Sequence, residues 1–147
     1  MSRHAVCDGE FTLPLSSEEA LPLFTPEGER AWAGDEWDPQ YAAERGDGDG
    51  ATPGIVFTTP STGGDAVWVV VERSDDAVAY ARVVPGHIAG TISVVCTAEG
   101  EGCRVRVTYD VTSLGPAGDE WIAEFERGYA NFLEHWRHAI VASLNAA

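Results

Sequence analysis

CRVRVTYDVT, residues 103–112, alternates without a break. Val105, Val107, Tyr109 and Val111 fall on one side of an extended chain, and Arg104, Arg106, Thr108, Asp110 and Thr112 on the other. Side chains on a strand change face at every residue, so the stretch reads as a strand with one buried side and one wet side. A strand of that kind belongs to an antiparallel sheet covered on a single face. The rest of the chain must extend that sheet and supply the cover.

Upstream, the period of two recurs in GIVFTT (54–59), AVWVVVE (66–72), VAYARVV (78–84) and GTISVVCT (90–97). ERSDDA, PGH and TAEGEG supply turns between these runs. FTLPL (11–15) reads as a short first strand, with Pro14 suited to an edge or a strand end. Downstream, Gly115-Pro116 punctuates, and a long helix is predicted from about Asp119 to Leu144. Its apolar residues, Ile122, Phe125, Tyr129, Phe132, Leu133, Trp136, Ile140 and Leu144, occupy one stripe roughly 100° wide. The apolar sheet face is the partner open to that stripe.

Two short helices are expected after the first strand. Ser16 and Glu19 have the spacing of a capping box. Thr25-Pro26-Glu27 marks a second start, with Thr as N-cap, Pro at the first helical position and an acid in the first turn. Pro22 lies inside the first helix; Trp32 ends the second and Gly34 stops it. Residues 38–54, which include RGDGDGATPG (45–54), read as a turn or mobile loop.

Composition bounds the function. The 147 residues suit one domain, 1–147, with an ordered core from about 9 to 145. The formal net charge is -15, and all nine basic residues are arginine. Such a surface repels phosphate backbones and anionic membranes, so nucleic acid is set aside as a partner. The longest apolar run, AVWVVV, is too short to span a bilayer, and MSRHAVCDGEF lacks the apolar stretch of a signal peptide. A cytoplasmic protein without membrane insertion is expected. Three cysteines argue against a disulfide framework. Cys96 and Cys103 flank the TAEGEG turn and read as buried thiols, with a reversible bridge as the alternative; Cys7 reads as a surface thiol near a loose end.

This order of elements resembles the helix-grip fold, an α+β architecture in which a curved antiparallel sheet of six or seven strands wraps around a long C-terminal helix. More specifically, the chain resembles the SRPBCC superfamily, which holds birch-pollen-allergen-like and START-related proteins, polyketide cyclases and co-chaperone activators. The stretches that carry the resemblance are FTLPLSSEEALPLFTPEGERAW, the following WDP, GIVFTT, YARVVPG, VTYDVTSL with Gly118 soon after, and FERGYANFLEHWRHAI. They run from about Phe11 to Leu144 and look like a bacterial branch distinct from the enzyme branches of known reaction. The resemblance implies a deep, largely apolar pocket between helix and sheet, in a fold that hosts carriers, cyclases and chaperone-binding modules alike.

Geometry points the same way. A sheet twists and bends, and a straight helix laid on it leaves a gap. Trp32 and Trp37 are placed by chain order to close one end of that gap, either as walls for a ligand or as packing for the short helices. Tyr80 and Arg82 share a face of their strand with Val78 and Val84. If that face is inside, Arg82 would hold a carboxylate or enolate through a forked pair of hydrogen bonds. The alternate set, Ala79, Ala81 and Val83, is also apolar, so the face stays open. Tyr109, Phe132 and Trp136 lie on faces read as buried and complete the candidate ligand-binding set.

Candidate proton carriers are Glu29, which would act from a pocket rim, and His87, which sits in VVPGHIAG at a probable turn and would act only if that turn met the cavity mouth. His135 and His138 have the spacing of a helical metal pair, but His138 points away from the apolar stripe and His135 lies about 125° from its centre, without a third ligand. Asp47 and Asp49 suggest a calcium loop, but Thr58 stands where a calcium-binding hand needs Glu. No metal and no cofactor is expected. The chain also lacks GxSxG and a Gly-rich phosphate loop.

Three functions are compatible with these features. The first is binding of a small, mainly apolar, lipid- or polyketide-like molecule. The second is an enzyme of the cyclase or dehydratase type. The third is an interaction module that presents its outer sheet face, where Arg104, Arg106 and Asp110 argue against a large apolar interface. A monomer or loose homodimer is expected.

Overall fold

The alternating stretch at 103–112 forms the body of β7 (Gly102–Ser113), which is paired on both sides. The computed structural model describes residues 3–44, 46 and 48–146. Around β7 it places β1 (His4–Leu13), β2 (Gln40–Tyr41), β3 (Val56–Thr59), β4 (Ala66–Arg73), β5 (Ala77–Val84) and β6 (Ile88–Glu99). The seven strands form one antiparallel sheet in the order β1-β7-β6-β5-β4-β3-β2. A 30-residue helix, named α2 because the short α1 (Ser17–Ala20) precedes it, runs from Pro116 to Asn145. The fold is the helix grip: a curved sheet, short helices after the first strand, and a long C-terminal helix.

Register explains which side is buried. Tyr109 stands opposite Ile92 of β6 and Cys7 of β1. Residues at matched positions share a face, so all three point inward, and all three are buried. This corrects two expectations. β1 starts at His4, seven residues before the FTLPL reading, and Pro14 lies beyond its end. Cys7 is therefore an inner-face residue of a paired strand, not a surface thiol at a loose end. Cys96 and Cys103 are free and buried, and desolvation by burial pushes the Cys96 thiol up to about 12.

The cover is asymmetric. α2 packs closely on β1 and β7 and stands away from β4, β5 and β6. Gly9 of β1 permits the close side: a Cβ there would sit 2.6 Å from Leu133 Cδ1. Tyr129 fastens the same side by donating its hydroxyl to the Val107 carbonyl at 2.6 Å. At the helix start, Gly118 slides under the β5–β6 turn, where a Cβ would meet the His87 carbonyl at 1.9 Å. Tight at one side and wedged at its start, the helix leaves its gap above the central strands.

Residues 16–34 form the lid over that gap. Ser16 and Glu19 make both bonds of the capping box, at 3.1 Å each. α1 then tightens into a 3-10 helix at Leu21–Phe24, with Pro22 near its start. The second helix is shorter than the sequence suggests, a single 3-10 turn at Gly28–Ala31. Thr25 joins the two: its hydroxyl donates to the Pro22 carbonyl at 2.6 Å and accepts from the Gly28 N–H at 3.0 Å.

The Gly- and Asp-rich loop is fastened where it is described. Asp49 pairs with Arg73 at 2.7 Å, accepts from the Ala51 N–H at 3.0 Å, and offers its carbonyl to the Glu27 N–H at 3.0 Å. Residues 48–51 thus brace the lid from below. Asp47, part of the calcium-loop reading, lies outside the described residues, as does Arg45. No helix among the described residues is long and apolar enough to cross a membrane.

Candidate functional site

Between lid, sheet and α2 lies a cavity of about 330 Å³. The lid contributes Phe24, Glu29, Trp32 and Ala33, and the segment just after it Trp37. The sheet contributes Trp68 from β4, Tyr80 and Arg82 from β5, Ile92 and Val94 from β6, and Tyr109 from β7. The helix contributes Trp121, Phe125, Phe132, His135, Trp136 and Ala139. The chain has five tryptophans, and all five are in this wall.

The rings hold one another edge to face, the geometry that aromatic quadrupoles favour. Trp32 meets Trp136 with centroids 5.2 Å apart, and Phe24 at 5.9 Å. Trp37 meets Trp68 at 5.6 Å, and Trp68 meets Tyr80 at 5.6 Å, both near perpendicular. On the helix side Tyr109 packs against Phe125 at 4.9 Å, which stacks on Trp121 at 4.7 Å. Three indole N–H groups are tied down: Trp32 to the Leu23 carbonyl and Trp37 to the Pro26 carbonyl, each at 2.8 Å, and Trp68 to Thr59 Oγ1 at 3.0 Å. A tied indole presents its apolar face to the cavity with its orientation fixed.

Four polar side chains stand among the rings. Tyr80 donates to the Phe24 carbonyl at 2.7 Å, pinning the lid to β5. Burial, reinforced by the charge of Glu29, raises the Tyr80 phenol well above its ordinary value, so it stays a donor. Tyr109 is raised by the same desolvation, and its hydroxyl has no hydrogen-bond partner among the described residues. Glu29 is half-buried, with its open part lining the cavity. The carboxyl is enclosed by protein and unpaired among the described residues, and desolvation pushes it from an ordinary 4.5 up to about 8. Near neutral pH Glu29 is mostly a neutral acid.

Arg82 resolves the open face of β5. Its strand sits opposite β4 so that Arg82 faces Trp68, and the guanidinium lies 5.2 Å from the indole centroid. Nη2 donates to Ser61 Oγ at 3.0 Å. Burial lowers its pKa, partly countered by Tyr109.

The remaining predicted positions separate. Trp32, Trp37, Tyr80, Arg82, Tyr109, Phe132, Trp136 and Glu29 come together on the wall. His87 does not: it is buried in the β5–β6 turn behind the wall residue Trp121 and does not line the cavity. His138 is exposed and faces Glu134, whereas His135 stands at the cavity rim. Among the described residues no group of three or more His, Cys, Asp or Glu is placed to hold a metal.

Sequence reading missed Trp68 and Trp121. Trp121 precedes Phe125 by one helical turn, a spacing that extends the apolar stripe and could have flagged it. Trp68 lies in AVWVVV, apolar on both faces, and carries no such signal.

Residues 7–140 match the family described as polyketide cyclase / dehydrase and lipid transport. The chain belongs to this family. With its helix-grip architecture, this family member falls within the SRPBCC superfamily. No curated protein matches the chain. Among solved structures, this member of the polyketide cyclase / dehydrase and lipid transport family is similar to an uncharacterized protein of Rhizobium leguminosarum, at 18% identity and a TM-score of 0.67, covering 97% of both chains. It is similar to norcoclaurine synthase from Thalictrum flavum, solved with dopamine and hydroxybenzaldehyde, at 9% identity and a TM-score of 0.63, covering 96% of this chain and 88% of that one. It is also similar to the Aha1 dimer from Colwellia psychrerythraea, at 18% identity and a TM-score of 0.63, covering 92% and 95%. At these identities the likeness is one of fold.

Proposed function

We propose that the chain binds a small, mainly apolar organic molecule, lipid- or polyketide-like, in the cavity between sheet and α2. The observation that carries this reading is the convergence of all five tryptophans on one space of about 330 Å³. That volume is at the low end for small-molecule sites, which fits a guest of one or two rings better than a long acyl chain. Desolvation supplies the drive. A guest that hides about 250 Å² of apolar surface gains about 6 kcal/mol. Micromolar affinity needs about 8 kcal/mol, before the cost of lost motion is counted. Polar anchors must therefore contribute, and Arg82, Tyr109 and Glu29 are the groups in place. The aromatic ligands of norcoclaurine synthase, bound in a similar fold, are in keeping with this reading.

Native mass spectrometry of protein taken from its own host tests it. The expected spectrum shows the chain plus one small organic adduct that is lost on denaturation. A spectrum of bare chain alone, unchanged after incubation with small aromatic compounds, would count against binding.

A second reading, an enzyme of cyclase or dehydratase type, is favoured by one observation. Among the described residues Glu29 is an unpaired carboxyl lining the cavity, and desolvation raises its pKa to about 8. A group poised near the working pH can give a proton to a guest and take one back. Turnover of an aromatic polyketide precursor that vanishes in Glu29→Gln would support it. No turnover by the wild-type chain would remove it.

A further inference from the structure

Among the described residues six arginines hold a carboxylate: Arg3, Arg30, Arg73, Arg104, Arg106 and Arg137. Arg127 stands in solvent. Arg82 is turned into the cavity and, among the described residues, has no carboxylate within reach, in a protein with 24 acidic side chains. Arg82 is half-buried, and a guanidinium partly withdrawn from water without a counter-charge is costly, so its placement needs an account.

The guanidinium is also held in a fixed pose. Its face lies over Trp68, and one N–H is used on Ser61 Oγ. Among the described residues its other four N–H groups have no partner. Tyr109, whose hydroxyl is likewise unpartnered, is close enough to Arg82 for each to shift the other's titration. A guest that bears two acceptor oxygens in one plane matches a guanidinium fork, with a phenol to spare for a third bond.

An aromatic wall can equally serve a cation, so the net charge of the site decides. Among the described residues Glu29 is the one carboxylate of the wall and is mostly protonated near pH 7, which leaves Arg82 to set the sign. The interior is positive although the surface is strongly negative. A cationic guest would be repelled by Arg82 and would have to deprotonate Glu29; an anionic guest would meet a charge already in place.

We propose that the natural guest is a one- or two-ring aromatic carboxylate, its carboxylate docked on Arg82 and Tyr109 and its ring among the tryptophans. This rests on the binding reading above and names the guest class for the same cavity.

The test is calorimetry of the intact chain at pH 7 with three probes of one shape: naphthalene-2-carboxylate, its primary amide, and 2-naphthylmethylamine. The carboxylate is expected to bind about tenfold or more tighter than the amide, as a charge-assisted hydrogen bond predicts, and the amine weakest. Arg82→Gln is expected to bring carboxylate and amide together, and Arg82→Lys to restore only part of the gap. Equal binding of carboxylate and amide to the wild-type chain, tightest binding of the amine, or a carboxylate preference that survives in Arg82→Gln would each overturn the proposal while leaving the cavity a binding site. Binding of none of the three probes would overturn the binding reading and this inference with it. The wild-type comparison decides the matter even if a variant fails to fold.

Discussion

Trp32 of the lid meets Trp136 of the long helix edge to face, with ring centroids 5.2 Å apart. This contact joins two elements separated by six strands of sequence, and both rings line the cavity. Trp32 also touches Phe24 and ties its N–H to the Leu23 carbonyl, so the lid is held from both sides.

Trp32→Ala should therefore cost roughly 3–5 kcal/mol, the range for a buried aromatic cut to a methyl. Trp37→Ala should cost less, because Trp37 is only half-buried. Urea unfolding of the two variants beside the wild type gives the comparison; equal losses would show that the lid is not anchored through Trp32.

Glu29 predicts a pH dependence. Its pKa is raised from 4.5 to about 8 on folding by desolvation. The unfolded chain releases this proton near 4.5 and the folded chain holds it until about 8, so the folded state binds more protons in between. The contribution of Glu29 is thus most favourable at low pH and declines as pH rises through that window. Glu29→Gln, which cannot ionise, should gain stability relative to the wild type as pH rises from about 4.5 to about 8, then hold a constant lead. Chemical unfolding at several pH values reads this directly, and a lead that does not change with pH would contradict it.

Tyr80→Phe deletes the hydroxyl that reaches the Phe24 carbonyl. The carbonyl is left buried without its donor, a loss of about 1–3 kcal/mol. The effect should be local as well as global: amide exchange should quicken at residues 21–32 more than in β7. Uniform acceleration across both regions would argue that the bond does not serve the lid.

The three thiols should be silent in the native state. Cys7, Cys96 and Cys103 are free and buried, and burial raises each of them. Because the thiolate is the reactive form, a thiol reagent at pH 8 should titrate none of the three until denaturant is added, then all of them. Rapid reaction of one native thiol would place Cys7 back at the surface.

How much of this was legible follows from the strength of each pattern. Tyr109 and Trp136 sit in segments whose period is unambiguous, a strict alternation and a helical stripe, and both lie where the period puts them. Arg82 lies in VAYARVV, apolar on both faces, so no periodicity could orient it; the cross-strand partner Trp68 and the hydroxyl of Ser61 do so. Cys7 was misread because the inner face of the first half of β1 is Ala5, Cys7 and Gly9, residues too small to announce a buried side. His87 was misread because a turn is ordinarily exposed, whereas Gly118 lets the helix start close over this one. β2, two residues long, pairs with β3 and is tied to the lid through the Tyr41 hydroxyl, which donates to Glu27 at 2.6 Å; two residues had no pattern to show.

Since every indole of the chain stands in the wall of one chamber, its ultraviolet emission belongs to that chamber alone. No label is needed to follow filling and emptying: a dry, occupied interior shifts the emission to the blue, and a wet one to the red. In the purified protein the molecule is its own optical gauge of occupancy, readable at the excitation edge where tyrosine is dark.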